Sequence, residues 1–291
     1  MAKKYDLAVA YRIYPGVSKV PPVFSDDKYM LSELCLKSFK ESLGSLKVKL
    51  WVLLDNCPAK YTELFRKYFD DDCLELIQLP GEGNAATFNL QLHILLGQKY
   101  SEYVYFAEDD YLYLPNQLEN MVEFIRSDRD VDFVTPYDHL DYYTISLHDH
   151  QRTVKAFGNR HWMTAASTCL TFLTTKTTLL DSCAIFNTYV QGNSDAALWL
   201  SLTKCKMFDL ATCLKYFSKD WIAYHYRLAW HWCWWQLLFG RTYKLWVPIP
   251  TSAIHMENQF LSPTIDWNEY LKQEAAKLAN ELGQQTTSTK I

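Results

Sequence analysis

The stretch that most constrains this chain is Tyr103-Val-Tyr-Phe-Ala-Glu-Asp-Asp-Tyr-Leu-Tyr-Leu-Pro115. It begins as an unbroken apolar and aromatic run, Tyr103 to Ala107, the pattern of a strand buried on both faces. Three carboxylates follow at once, Glu108, Asp109 and Asp110. A buried strand that ends in clustered acids is costly unless a positive charge neutralises them. Mg²⁺ or Mn²⁺ would do so, because these ions take oxygen ligands, typically one or two carboxylates plus the phosphates of a substrate. A solvated acidic turn is the bland alternative. The position at a strand's C-terminal end favours the site, since ligands of α/β sheets collect there.

The segments before this strand alternate in character. Residues 6–14 read as a first strand closed by Pro15-Gly16, and a Pro-bearing loop leads to a helix over 28–43 with Gly44 as its C-cap. A second strand over 48–54 ends in Asp55-Asn56. Tyr61, Leu64, Phe65 and Tyr68 then recur at helical spacing. A third strand over 74–79 meets Pro80-Gly-Glu-Gly-Asn84 and a helix carrying Phe88, Leu92, Leu95 and Leu96. After the acidic strand, Asn116 is placed to cap a helix with Leu118, Met121, Val122 and Ile125 inward. Alternating strands and helices predict an α/β fold with a parallel sheet covered on both faces. Arg12 and Tyr14, Asp55 and the acidic triplet then share one rim, the outline of a nucleotide crevice. Neither a G-x-G-x-x-G nor a Walker pattern is present.

The second half is less regular. A fifth strand is predicted over 131–135, and residues 137–163, polar and rich in Tyr and His, read as an insert or mobile loop with the makings of a lid. A strand over 165–174 and a helix near 176–184 follow. Asn193 or Ser194 then caps a helix with Asp195 in its first turn. Residues 221–240 hold half of the tryptophans, and Arg227, His225 and His231 argue against a membrane span. Core, an aromatic acceptor wall and an interfacial helix all suit this segment. Residues 241–255 read as a strand ending at His255, and a charged helix from Trp267 runs into a Gln/Thr/Ser tail of disordered composition.

The net charge of −4 gives no electrostatic footprint for nucleic acid. The eight cysteines form no Cys-x-x-Cys pair and have no metal-like spacing with histidine. With a start that reads Met-Ala-Lys-Lys-Tyr-Asp and no secretory signal, they predict reduced thiols in a cytoplasmic protein.

From about Asp6 to His255 the chain resembles the GT-A-fold glycosyltransferases of the family-2 inverting type. The carrying residues are Leu53-Leu-Asp55, Gly83-Asn84 leading to Asn89, Tyr105-Phe-Ala-Glu-Asp-Asp110 in the place of the Asp-x-Asp motif, Gly192-Asn-Ser-Asp195, and Ile254-His255. The resemblance implies a Rossmann-like, mostly parallel central sheet flanked by helices, with a mixed acceptor-side C-terminal half. It implies one catalytic domain over 1–265, with 1–115 the nucleotide-binding half and 116–265 the acceptor-binding half, and a C-terminal helix and flexible tail over 266–291. A nucleotide-sugar, with a UDP-sugar the default, would contact Arg12, Tyr14, Asp55, Asn84, Asn89, Glu108 and Asp109. Mn²⁺ or Mg²⁺ would be held by Asp110, with His255 and Glu108 as further ligands, and Asp195 would be the catalytic base. The implied acceptor is a glycan or glycolipid of a surface polysaccharide, lipopolysaccharide or capsule, with peripheral contact at the inner membrane face through 221–240. A sugar-phosphate nucleotidyltransferase, a non-catalytic carbohydrate-binding protein and a transferase acting on a modified DNA base are the competing readings.

Overall fold

The first four strands and the helices between them follow the alternation of the sequence. They are β1 (Leu7–Ile13), α1 (Lys28–Ser42), β2 (Val48–Asp55), α2 (Lys60–Tyr68), β3 (Leu74–Leu79), α3 (Asn84–Gly97) and β4 (Tyr103–Glu108). This computed structural model describes residues 5–17, 19–216 and 218–288. β3, β2, β1 and β4 lie side by side and parallel, with Arg12 in register with both Leu53 and Glu108.

The two-residue period of the strands divides the core. Leu7, Val9, Tyr11 and Ile13 enter one apolar cluster with α1 and α2, and Ala8 and Ala10 enter another with α3. Tyr105 and Ala107 likewise face the first cluster, Val104 and Phe106 the second. Both faces are covered, so these strands read as unbroken apolar runs. Gln91 of α3 ties the strand ends together by donating to the Ala10 oxygen at 2.7 Å and the Ala107 oxygen at 3.0 Å.

Past β4 the chain departs from the sequence expectations in several places. A short strand, β5 (Tyr111–Tyr113), follows the acidic triplet at once, and α4 (Gln117–Ser127) follows that. Asn116 sits at the start of α4 in the left-handed region (φ 62°) and its side chain makes no cap, contrary to expectation. Gly44 stands one residue beyond the αR C-cap Leu43, with φ +55°. The predicted fifth strand shrinks to β6 (Phe133–Val134). Residues 137–163 are not a loop. They form α5 (Asp141–Thr144), a 3₁₀ turn at Ser146–His148, β7 (Val154–Phe157) and the start of β8 (Arg160–Ala165), and Trp162 is fully buried.

The strand predicted over 165–174 is instead the end of β8, a loop, and β9 (Phe172–Thr175). α6 (Lys176–Phe186), α7 (Asp195–Thr203), α8 (Leu210–Lys215), α9 (Trp221–Phe239), β10 (Leu245–Ile249), β11 (Ala253–His255) and α10 (Trp267–Ser288) complete the chain. The last residues of the expected tail, 289–291, lie outside the described residues. The nine-stranded sheet has the order β3-β2-β1-β4-β9-β6-β10-β8-β7. It is parallel through its first four strands, and mixed from β9 onward. This is the α/β architecture that the resemblance implied, with a mixed C-terminal half.

Candidate active site

A cleft of about 900 Å³ opens at the C-terminal ends of β1, β2 and β4, within the size range of small-molecule sites. Arg12, Tyr14, Asp55, Asn84, Glu108, Asp109, Asp110, Asp195 and His255 all line it. Asn89, expected to join them, does not; Thr87, two residues earlier on α3, does.

The three adjacent acids have three different sets of partners. Glu108 accepts from an Arg12 Nη on one oxygen and from Thr171 Oγ1 at 2.7 Å on the other. Both of its oxygens are therefore occupied. Asp109 lies 2.7 Å from Lys28 Nζ and accepts from the Tyr14 backbone N–H at 3.3 Å. Burial pushes its carboxyl up to about 6 in spite of the lysine. Asp110 meets His255 Nε2 at 3.0 Å through one oxygen, while its other oxygen, Oδ1, is buried and has no hydrogen-bond partner.

The His255 position follows from strand pairing. β11 runs antiparallel to β5 with His255 opposite Tyr111, and the Met256 N–H donates to the Asp110 backbone oxygen at 2.7 Å. Burial alone would lower the imidazole's pKa, but the Asp110 carboxylate outweighs it and raises His255 to about 10. Asp110 in turn is held down at about 2; burial opposes this, and His255 prevails. The imidazolium is thus the counter-charge of Asp110.

The rest of the rim organises the loop before α3. Asp55 accepts three backbone N–H groups, Gly81 at 3.0 Å, Glu82 at 2.7 Å and Gly83 at 2.9 Å. Arg12 donates to the backbone oxygen of Asn84 at 3.0 Å and to its side-chain oxygen. α3 therefore begins at the cleft with no side-chain cap and no acid in its first turn, an arrangement that favours an anion. Tyr14 is more exposed, at the cleft's lip. On the other wall Asp195 opens α7, behind a Ser194 cap that accepts from the Ala197 N–H at 3.2 Å. Burial raises the Asp195 carboxyl above its usual range, which makes the carboxylate more basic, although the Ala196 N–H at 2.7 Å opposes the shift.

Residues 33–183 match the model of the family described as Glycosyl transferase family 2. The chain belongs to that family. No protein of curated function matches it. Among solved structures it is similar to a mannosyltransferase from Pyrobaculum calidifontis in complex with GDP-Man and Mn²⁺, at 14% identity and a TM-score of 0.42, over 71% of this chain and 53% of that one. It is also similar to S. aureus TarS 1–349 in complex with UDP-GlcNAc, at 13% identity and a TM-score of 0.42, over 69% and 53% of the two chains. A second TarS structure, with UDP, matches at 15% identity and a TM-score of 0.44, over 67% and 54%. The chain spans about half the length of these structures.

For this family-2 chain the donor set can be tested against a divalent cation. Among the described residues no group of three or more His, Cys, Asp and Glu side chains is arranged to hold one. Asp110 nevertheless has a buried carboxylate oxygen without a partner, and His255 adjoins it. That fits an ion completed by substrate phosphates and water. Glu108, expected as a further ligand, has both oxygens engaged by Arg12 and Thr171.

Sequence reasoning missed the wall supplied by 139–148, where His139, Asp141, Tyr142 and His148 face the cleft. It also missed Lys28, whose place at the head of α1 was legible but whose reach to Asp109 was not.

Proposed function

We propose that this chain is a metal-dependent, inverting glycosyltransferase that moves a sugar from a nucleotide-sugar, a UDP-sugar by default, to an acceptor hydroxyl. The observation that carries this is the opposition within one cleft of Asp110, with its buried unpartnered oxygen beside His255, and Asp195, whose carboxyl is shifted toward basicity. The diphosphate lies at the uncapped start of α3, and Asp55 and Arg12 hold the Gly81–Asn84 loop in place to receive it.

Asp110 would hold Mn²⁺ or Mg²⁺, with His255 as a further ligand once its imidazole gives up its proton, and the ion would neutralise charge on the leaving diphosphate. Asp195 takes the proton of the acceptor hydroxyl as its oxygen attacks the anomeric carbon. A single carboxylate on the acceptor side supports direct displacement with inversion, by analogy with the two geometries of glycoside hydrolysis. Asn84 and Tyr189, joined by a 2.8 Å hydrogen bond, bridge the donor and acceptor walls. The acceptor is a growing surface glycan, met in the cytoplasm at the inner membrane face.

Calorimetric titration of UDP and GDP, each with and without Mn²⁺, on wild type and Asp110→Ala tests this reading. Mn²⁺-dependent binding of one diphosphate, lost in the variant, supports it and names the base. Absence of binding by both diphosphates with any metal would sink it.

A further inference from the structure

α9 carries its apolar surface on the wrong side for an ordinary surface helix. Its inward face buries Ala223, Ala229, Cys233 and Leu237 but also His225 and Gln236. Its outward face exposes Trp221, Tyr224, Trp234, Trp235, Leu238 and Phe239, from 37% for Trp235 to 80% for Phe239. Apart from Arg227 and His231, its exposed side chains are apolar or aromatic, and such a face needs a second apolar medium. α8 extends the patch. Leu210 and Leu214, one turn apart, are exposed, and Phe208 packs edge-on against Trp230 of α9 at 5.8 Å. Among the described residues, most of the exposed large apolar side chains fall in this region.

We infer that the α8–α9 face seats in the interfacial layer of an anionic lipid bilayer. Two observations choose lipid over a protein partner. Trp and Tyr, apolar bodies with one polar edge, are the side chains that settle at headgroup level. Residues 204–240 hold five Lys and Arg against two Asp, a net +3 in a chain whose total is −4, which suits anionic headgroups. No described helix is long and apolar enough to cross a membrane, and α9, which kinks at Cys233 (φ −130°, ψ 27°), is placed along the surface with its exposed aromatic side chains toward the headgroups. Trp221 belongs both to this face and to the cleft lining, so the patch runs up to the cleft mouth. The acceptor is then one carried on a lipid, delivered past Trp221; that clause alone rests on the glycosyl-transfer reading.

The test is flotation of the full chain with vesicles of phosphatidylcholine alone and of phosphatidylcholine with phosphatidylglycerol. It compares wild type with Trp234→Ser/Trp235→Ser/Leu238→Ser/Phe239→Ser, all four away from the cleft lining. Wild type should float with the anionic vesicles, less so at high salt, and the variant's vesicle affinity should fall by at least about tenfold. Thermal unfolding and Mn²⁺-dependent UDP binding are followed in parallel to show that the variant is folded. Vesicle binding without UDP binding would support the membrane face while sinking the donor reading. Equal flotation of the variant overturns the assignment to this face. A wild-type dimer in sedimentation that ignores vesicles, and that the variant dissolves, overturns lipid in favour of a second copy.

Discussion

His255 and Asp110 stand 145 residues apart in the chain, yet their side chains meet at 3.0 Å because β11 pairs with β5 immediately after the acidic triplet. Two three-residue strands therefore decide whether a histidine stands beside Asp110 on the cleft rim. His255→Ala should weaken Mn²⁺-dependent UDP binding by roughly 10- to 100-fold, the usual effect of disturbing a metal site's supporting residues. Binding of UDP without metal should change little. Calorimetry at matched Mn²⁺ separates the two, and an unaltered metal dependence would reduce His255 to a structural partner of Asp110.

Asp195 touches neither the Arg12 clamp nor the Asp55 loop, since its own hydrogen bond is to the Ala196 N–H. Asp195→Asn keeps that acceptor and the size of the side chain while removing basicity. Transfer should fall by about 10²- to 10⁴-fold, with UDP affinity nearly intact. A rate close to wild type under single-turnover conditions would rule Asp195 out as the base.

The parallel half of the sheet was legible because Val9, Val52 and Phe106 sit on strands covered on both faces, and such strands announce themselves as apolar runs. Asp55 and Asp110 could be located for the same reason, since each terminates or follows such a strand, and Asp195 because Ser194 caps the apolar helix that it opens. The β7–β8 hairpin was missed because most of β7 is only partly covered and alternates Val154, Lys155, Ala156, Phe157 with little apolar contrast. Its Gly158, at φ +61°, was the available turn signal. Periodicity could not assign α9 either, because aromatic residues occupy both its inward and outward faces. The contact between Lys28 and Asp109 crosses elements 81 positions apart, and no local pattern encodes it.

That contact carries its own prediction. The Lys28 and Asp109 side chains are 8% and 12% exposed and 2.7 Å apart, so each is the other's compensation for leaving water. Lys28→Met strands a buried carboxylate and should cost about 3–5 kcal/mol of stability. Adding Asp109→Asn should restore part of the loss, because the stranded charge is gone. Urea unfolding of the two single variants and the double variant measures this, and strictly additive losses would show that the pair does not couple.

The 139–148 wall makes the fold sensitive to acid. Burial first, and then the neighbouring His139, His150 and Arg152, hold the His148 pKa down at about 3; His139 is likewise lowered, to about 4, chiefly by burial. A histidine depressed in the folded state stays neutral there while its unfolded counterpart takes up a proton near pH 6.5. Its contribution is therefore fully present above about pH 6.5, and for His148 is lost progressively as pH falls toward about 3. Within that window His148 alone should tilt stability by up to about 1.4 kcal/mol per pH unit. His148→Asn cannot titrate, so its urea midpoint should decline less steeply than that of wild type between pH 7 and pH 4.5, with the residual slope left to His139 and His150. Parallel slopes for the two proteins would mean that His148 is solvated and titrates as it does in the unfolded chain.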